Sequence, residues 1–120
     1  MELLRLYSTN NISTQIKIKG YKLLETVSTN NLTIKVYSDG VRVTYVVTGS
    51  TTIQSGILTN KVTYKPVFDI TIELNVSKGN NGARIRIASD GGMQFEKNAN
   101  TSDTCAAQSS ATTFLATPLY

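Results

Sequence analysis

The chain has 120 residues, of which 40% are hydrophobic and 17% charged, with a formal net charge of +4. It contains no His and one Cys, which excludes an intrachain disulfide framework, a zinc site made of Cys and His, and a catalytic Ser–His or Cys–His pair. The length suits one domain with its own core. We expect no membrane insertion, because the apolar runs are only a few residues long. We also expect no nucleic-acid binding, because the basic residues are spread singly.

The elements along the chain all have the pattern of short strands. Thr, Val, Ile and Tyr alternate with polar residues and are interrupted by Asn, Gly, Ser and Asp, whereas a helical repeat is not sustained anywhere. The predicted strands are residues 2–7, 14–19, 21–27, 31–38, 41–48, 52–59, 61–65, 69–77, 83–89, 93–98 and 111–117. This pattern predicts an all-β fold without significant helix, an antiparallel β-sandwich of jelly-roll or immunoglobulin-like type.

The division of the chain follows from composition. Residues 1–30 are expected to form N-terminal strands and a docking segment, and residues 31–120 the β-sandwich, within one compact unit. The stretch 99–113 is rich in Ala, Ser and Thr, which predicts a surface loop leading into the last strand. Cys105 in this stretch has no basic neighbour in the sequence, and we interpret it as an unreactive buried or loop thiol.

The string Ser-Asp-Gly occurs twice between alternating segments and predicts two tight hairpins. In the first, a two-residue loop of Asp39 and Gly40 in a type I′ turn brings the apolar residues onto one face. The residues expected on the opposite, solvent-facing side are Lys35, Tyr37, Arg42 and Thr44.

The second hairpin needs a longer loop, because a two-residue loop would mix apolar and polar residues on each face. A three-residue loop over residues 90–92 restores the alternation and places Arg86 opposite Glu96. A slip of one residue would turn every side chain over, so Gly92 is expected to fix the register. In both hairpins we interpret the Asp as a turn former, because acidic residues are scattered singly and do not form a metal-binding pattern.

The sequence offers no combination of residues that indicates catalysis. Asp69 and Glu73 lie four residues apart on one face of a predicted strand, which is about 13 Å and farther than a glycosidase carboxylate pair requires. No glycine-rich phosphate loop precedes a helix. We therefore expect no enzyme activity, no metal and no cofactor.

Aromatic and basic side chains are the candidate binding residues. Exposed Tyr beside Arg is common at protein interfaces. Tyr64 and Phe68 lie where the chain changes direction, and they form either an interface or a plug at one end of the sandwich. The candidate interface or ligand-binding residues are Lys35, Tyr37, Arg42, Tyr64 and Phe68, and the turn and register residues are Asp39, Gly40, Asp90, Gly91 and Gly92.

Residues 47–98 combine a Tyr-x-Pro corner, an apolar strand, a polar Gly/Asn turn, the string RIRI and an Asp-Gly turn. The residues that match this pattern are Tyr64, Pro66, Gly82, Ile85, Ile87, Asp90 and Gly91. The pattern resembles β-sandwich domains of tailed-bacteriophage virion surface proteins, such as head-fibre, tail-fibre and baseplate modules, over about residues 31–117. The resemblance implies a β-sandwich that self-associates, often as a trimer, and it supplies no agreed set of binding residues.

The function implied by this resemblance is structural. We expect a non-enzymatic protein on the exterior of the virion, assembled in the host cytoplasm, which acts as an auxiliary capsid or head-fibre (decoration) component and contacts other virion structural proteins. The basic N-terminal half would suit docking on an acidic lattice. The alternative is a receptor-binding tip of a tail fibre or baseplate that recognises a host cell-surface saccharide. A bacterial adhesin or carbohydrate-binding module unrelated to bacteriophages is a further alternative.

Overall fold

The computed structural model describes residues 20–52, 55–76, 82–97 and 104–119, and within these ranges the regular structure consists of antiparallel strands without a helix. The strands are β1 (Lys22–Thr29), β2 (Leu32–Ser38), β3 (Arg42–Thr51), β4 (Gly56–Lys61), β5 (Ile70–Val76), β6 (Ala83–Ile87), β7 (Gly92–Lys97) and β8 (Cys105–Phe114). The predicted all-β sandwich is confirmed. The predicted strands 2–7 and 14–19 lie outside the described residues. No helix in the described ranges is long and apolar enough to cross a membrane.

The strand order is β1-β2-β3-β8-β5-β6-β7-β4. The first sheet is β1-β2-β3-β8, the second is β6-β7-β4, and β5 joins them by pairing with β8 at one end and β6 along the rest. Each half of the chain forms a three-stranded antiparallel meander, β1-β2-β3 in the first half and β5-β6-β7 in the second. The fourth strand of each half pairs with the meander of the other half, β4 with β7 and β8 with β3. The two Ser-Asp-Gly hairpins, β2–β3 and β6–β7, therefore occupy equivalent positions in the two halves.

Alternation along the strands explains which face of each sheet is buried. The core side chains between the sheets are Leu32, Ile34, Val36, Val43, Tyr45, Val47, Ile72, Leu74, Ile85, Ile87, Met93 and Phe95. Burial of each large apolar side chain contributes about 1.5–3 kcal/mol.

β1 pairs with β2 along its length, so residues 22–29 lie within the same sandwich as the residues that follow them.

The first Ser-Asp-Gly hairpin has a longer loop than the sequence predicts. Ser38 pairs with Val43, which leaves residues 39–42 in the loop. The type I′ prediction was wrong, because such a turn needs left-handed φ at both central residues and only Gly40, with φ of 104°, has it. The Asp39 carboxylate instead folds back onto two backbone amides of the loop, at 2.8 and 3.0 Å. The register differs by two residues, so the apolar face is unchanged.

The second hairpin has the predicted loop length at a different position. The Ala88 amide donates to the Gly92 carbonyl at 2.8 Å, so the loop is residues 89–91 and not 90–92. Gly91, with φ of 91°, is the left-handed residue, whereas Gly92 already belongs to β7. The Asp90 carboxylate accepts the Gly92 amide at 2.8 Å, which fits its predicted role as a turn former.

The prediction of a surface loop over residues 99–113 was wrong in its second half. Residues 105–113 belong to β8, which lies between β3 and β5 and pairs with β3 along its whole length. Its Ala, Ser and Thr side chains carry no amphipathic pattern, and the strand is held by backbone pairing with β3 along its length and with β5 at Cys105 and Ala106. Cys105 faces inward and is fully buried, so of the two predicted placements the buried one is confirmed.

Candidate interaction surface

The outer face of the second sheet is covered by ion pairs. Arg84 lies opposite Glu96 and donates to it, and Arg86 approaches the same carboxylate diagonally at 3.3 Å. The predicted register, with Arg86 directly opposite Glu96, was therefore wrong by two residues. The hydrogen bond from the Arg84 guanidinium lowers the pKa of Glu96. Asp69 pairs with Arg86 at 3.6 Å and Glu73 lies opposite Arg84, so each of these carboxylates has an arginine neighbour.

The outer face of the first sheet carries mainly uncharged side chains. The positions of the first sheet that point away from the core are Thr26, Ser28, Thr33, Lys35, Thr44, Val46, Thr48, Gln108, Ser110 and Thr112, of which Thr44 and Val46 in the centre of the sheet are buried. The hydroxyls of Thr44 and Thr112 are 2.6 Å apart, so the central residues are hydrogen-bonded to each other. No carboxylate occupies an outward-facing position on β1, β2, β3 or β8 within the described residues. The two faces of the sandwich therefore differ in chemistry.

Apolar and aromatic side chains are exposed together at one end of this uncharged face. Phe114 of β8 lies opposite Arg42 of β3, and the Val67 amide donates to the Phe114 carbonyl at 3.1 Å, which places Val67 on the other side of Phe114. In the next outward row, Leu23 of β1 lies opposite Tyr37 of β2. We call these five residues the aromatic patch.

The exposure of the aromatic patch is high for apolar residues. Val67 is 40% exposed, Leu23 50% and Phe114 56%, and Phe68, which follows Val67, is 71% exposed. Val67 and Phe114 are neighbours, whereas Leu23 lies three strands away from Phe114 across the sheet. Neighbouring exposed apolar side chains mark interaction sites more often than singly scattered ones do. Tyr and Arg, the polar members of the patch, are enriched among residues that dominate binding energy.

Asp39 holds Arg42 in place within the aromatic patch. The Asp39 carboxylate oxygen Oδ2 is 3.0 Å from Arg42 Nη2 and 3.1 Å from Arg42 Nε, while Oδ1 accepts the backbone amides of Val41 and Arg42. Burial alone would raise the pKa of Asp39, but these hydrogen bonds and the guanidinium charge outweigh burial and lower it. The guanidinium is thus fixed in the outward row that contains Phe114.

The five predicted interface residues do not all reach this surface. Lys35, Tyr37 and Arg42 share the outward side of the first sheet, as expected, but Thr44, which was expected to face solvent with them, is fully buried. Phe68 is exposed. Tyr64 does not join them. The residues of the patch that the sequence did not indicate are Leu23, Val67 and Phe114, since their proximity depends on β8 lying beside β3.

Tyr64 helps to close one end of the sandwich. Its backbone carbonyl accepts the hydroxyl of the buried Tyr45, and its side chain packs against the core. The Glu25 carboxylate accepts the backbone amides of Thr63 and Tyr64 at 2.7 and 3.1 Å. Burial and the nearby Glu25 raise the pKa of Tyr45. The predicted strand 61–65 was wrong, because a side chain and not a strand satisfies these amides.

Two depressions lie outside the aromatic patch. A cleft of about 270 Å³ at the end of the sandwich is lined by Thr63, Tyr64, Lys65, Leu115, Ala116, Thr117 and Leu119. A polar groove of about 410 Å³ on the second sheet is lined by Ser55, Glu73, Gly82, Ala83, Arg84, Gln94, Glu96 and Lys97. Among the described residues, no group of three or more His, Cys, Asp or Glu could hold a metal ion.

No protein-family model and no curated protein matches the chain. The bacteriophage resemblance therefore stays a prediction from the sequence.

Proposed function

We propose that the chain is a non-enzymatic structural protein on the exterior of a bacteriophage particle, an auxiliary capsid or head-fibre component that contacts virion proteins through the aromatic patch. The aromatic patch is the observation that carries the proposal, because it combines exposed Phe, Leu and Val with Tyr and a fixed Arg. The virion setting is supported by the sequence resemblance.

The energetics of the patch suit a repeated contact on a lattice. Full burial of Leu23, Val67 or Phe114 would contribute about 1.5–3 kcal/mol each. Association costs an estimated 4–15 kcal/mol in lost freedom of motion, so one small patch binds weakly by itself. Several copies on one particle would bind together far more tightly than one copy alone.

Immunogold electron microscopy tests the proposed location. Antibody against the chain is applied to particles released by the source organism, and we expect gold over the particle exterior, on heads. Label restricted to tail tips would favour the receptor-binding alternative. Particles without any label would contradict both virion roles.

A matched pair of variants tests the role of the patch. We expect Phe114→Ser to reduce co-purification of the chain with these particles, whereas Ile57→Ser leaves it unchanged. Ile57 is a suitable control because it is 83% exposed but lies on β4, away from the patch. Equal recovery of both variants with the particles would overturn the assignment of the patch.

The alternative function, recognition of a host cell-surface saccharide, is favoured by the polar groove on the second sheet. Its Glu73, Arg84, Gln94 and Glu96 side chains lie on three neighbouring strands and offer both donors and acceptors to a polyol. A glycan array separates the two functions. Binding to defined glycans that is lost in Gln94→Ala and kept in Phe114→Ser would favour the saccharide receptor over a structural contact.

A further inference from the structure

We propose that the cleft at the end of the sandwich binds one ring of an acidic saccharide, a hexuronate, and that Lys65 holds its carboxylate. The cleft measures about 270 Å³, just below the about 300–1,000 Å³ of pockets for drug-sized ligands, which fits a single sugar ring rather than a longer chain. It shares no residue with the aromatic patch or with the polar groove, so the proposal does not rest on the proposed function.

The walls of the cleft are two segments that cross the end of the sandwich. Residues 63–65 follow β4, and residues 115–119 follow β8. The Ala116 amide donates to the Lys65 carbonyl at 3.0 Å, and the Leu119 amide donates to the turn between β2 and β3 at 2.6 Å. These bonds hold both walls in place through the chain itself, so a ligand has little ordering left to impose.

The lining of the cleft combines apolar surface with hydroxyl groups. Leu115, Leu119 and the half-buried ring of Tyr64 offer apolar contacts to the CH groups of a sugar ring. Within the part of the chain that the structure describes, the hydroxyls of Thr63, Tyr64 and Thr117 make no hydrogen bond. They can donate to sugar hydroxyls and accept from them. A pyranose ring, with apolar CH faces and a polar rim, matches this lining.

Lys65 supplies the charge that selects an acidic sugar. Among the described residues it forms no ion pair, and no carboxylate lines the cleft. The carboxylates near this end of the sandwich, Glu25 and Asp90, already accept backbone amides. The Gly92 hydrogen bond, helped by the charges of Lys61 and Lys65, lowers the pKa of Asp90. The Lys65 ammonium thus remains a charge-assisted donor for the carboxylate of a ligand.

The polar groove on the second sheet is a poorer site for an acidic sugar. Glu73 and Glu96 line it, and the Arg84 guanidinium is already paired with Glu96. A ligand carboxylate would meet two like charges there and an arginine that has a partner, which disfavours binding. The groove therefore suits an uncharged saccharide, and the cleft suits a carboxylated one.

Nuclear magnetic resonance titration of the full chain tests the site with matched probes. Methyl glucuronide and methyl galacturonide carry the ring and the carboxylate, methyl glucoside keeps the ring without the carboxylate, and acetate keeps only the carboxylate. We expect saturable shifts of the amides of residues 63–65 and 115–119 with at least one uronide, and affinities weaker by about tenfold or more for the glucoside and for acetate. No saturable shift with either uronide, shifts centred on the polar groove, or equal affinity for the glucoside or acetate would each overturn the proposal.

Variants of exposed residues test the roles within the cleft. Lys65→Met keeps the apolar stem and removes the charge, so it should weaken uronide binding by about tenfold and leave glucoside binding unchanged. Lys35→Met removes an exposed charge outside the cleft and should change neither. Thr117→Val should weaken both sugars and leave acetate unchanged. The dispersion of the same spectra shows whether each variant is folded. Equal weakening by Lys65→Met and Lys35→Met would mean a general attraction to a basic chain and would refute the site.

Discussion

Asp39 uses both carboxylate oxygens, one for the backbone of its turn and one for the Arg42 guanidinium. We expect Asp39→Ala to lower the free energy of unfolding by about 1–3 kcal/mol, because two backbone amides lose a charged acceptor. Asp39→Asn should cost less, since its side-chain oxygen can still accept. Urea unfolding at neutral pH measures both. Glu73→Ala serves as the control, and a cost for Asp39→Ala no larger than that of the control would contradict this role.

The same residue links stability to pH. The folded-state pKa of Asp39 is lowered, so its contribution is complete above the unfolded pKa of about 3.9 and is lost as the pH falls through the folded value. Asp90 and Glu96, whose pKa values are also lowered, act in the same direction. We expect the free energy of unfolding to fall in acid below about pH 4, and to fall less steeply in Asp39→Asn. Parallel acid profiles for the two chains would show that Asp39 does not contribute.

At the scale of the elements, the β6–β7 hairpin depends on Gly91. A Cβ atom at this position would lie 2.4 Å from the Val62 carbonyl oxygen, and the left-handed φ adds strain. We expect Gly91→Ala to lower the free energy of unfolding by about 2 kcal/mol or more. Gly92→Ala should cost less, because its Cβ would meet only the Asp90 side chain at 3.1 Å. Thermal unfolding of the two variants compares them, and the reverse ranking would count against this hairpin geometry.

The contact between β1 and residues 62–64 is made by the Glu25 side chain and not by backbone pairing of two strands. We expect Glu25→Ala to lower the free energy of unfolding by about 1–3 kcal/mol, because the amides of Thr63 and Tyr64 lose their acceptor. Glu25→Gln keeps an acceptor and should be milder. Hydrogen exchange reports the effect directly through these two amides, which should exchange faster in Glu25→Ala. Unchanged exchange rates of these two amides would mean that the Glu25 carboxylate does not hold residues 62–64 against β1.

Some strands and loops of the sandwich can be predicted from the sequence, and others cannot. Strands with apolar alternation, such as β2 and β6, are predictable because one face of each must be buried. β8 is not, since its small residues show no alternation and its strand depends on pairing with β3, which is distant in the chain. The hairpin registers were off by two residues because side-chain hydrogen bonds of Asp39 and the left-handed Gly91 set the loops. Tyr37 and Arg42 were predicted as neighbours through one hairpin, whereas Phe114 joins them only through the order of strands distant in the chain.

At the scale of the whole molecule, the two halves of the sandwich exchange their fourth strands. β4 pairs with β7 and β8 pairs with β3, so neither half contains the partner of its own last strand. A cut between Lys65 and Pro66 separates the halves and keeps the Glu25 contacts in the first fragment and the Val67–Phe114 contact in the second.

We expect each fragment, residues 1–65 and 66–120, to be largely unfolded alone, because each exposes a sheet edge and half of the core to water. Mixing them in equal amounts should restore the sandwich, since the missing partner strands then come from the other fragment. Far-ultraviolet circular dichroism of the separate and mixed fragments, with the uncut chain as control, measures this. A fragment that shows cooperative thermal unfolding alone would mean that a half-sandwich is stable without the strand it receives from the other half.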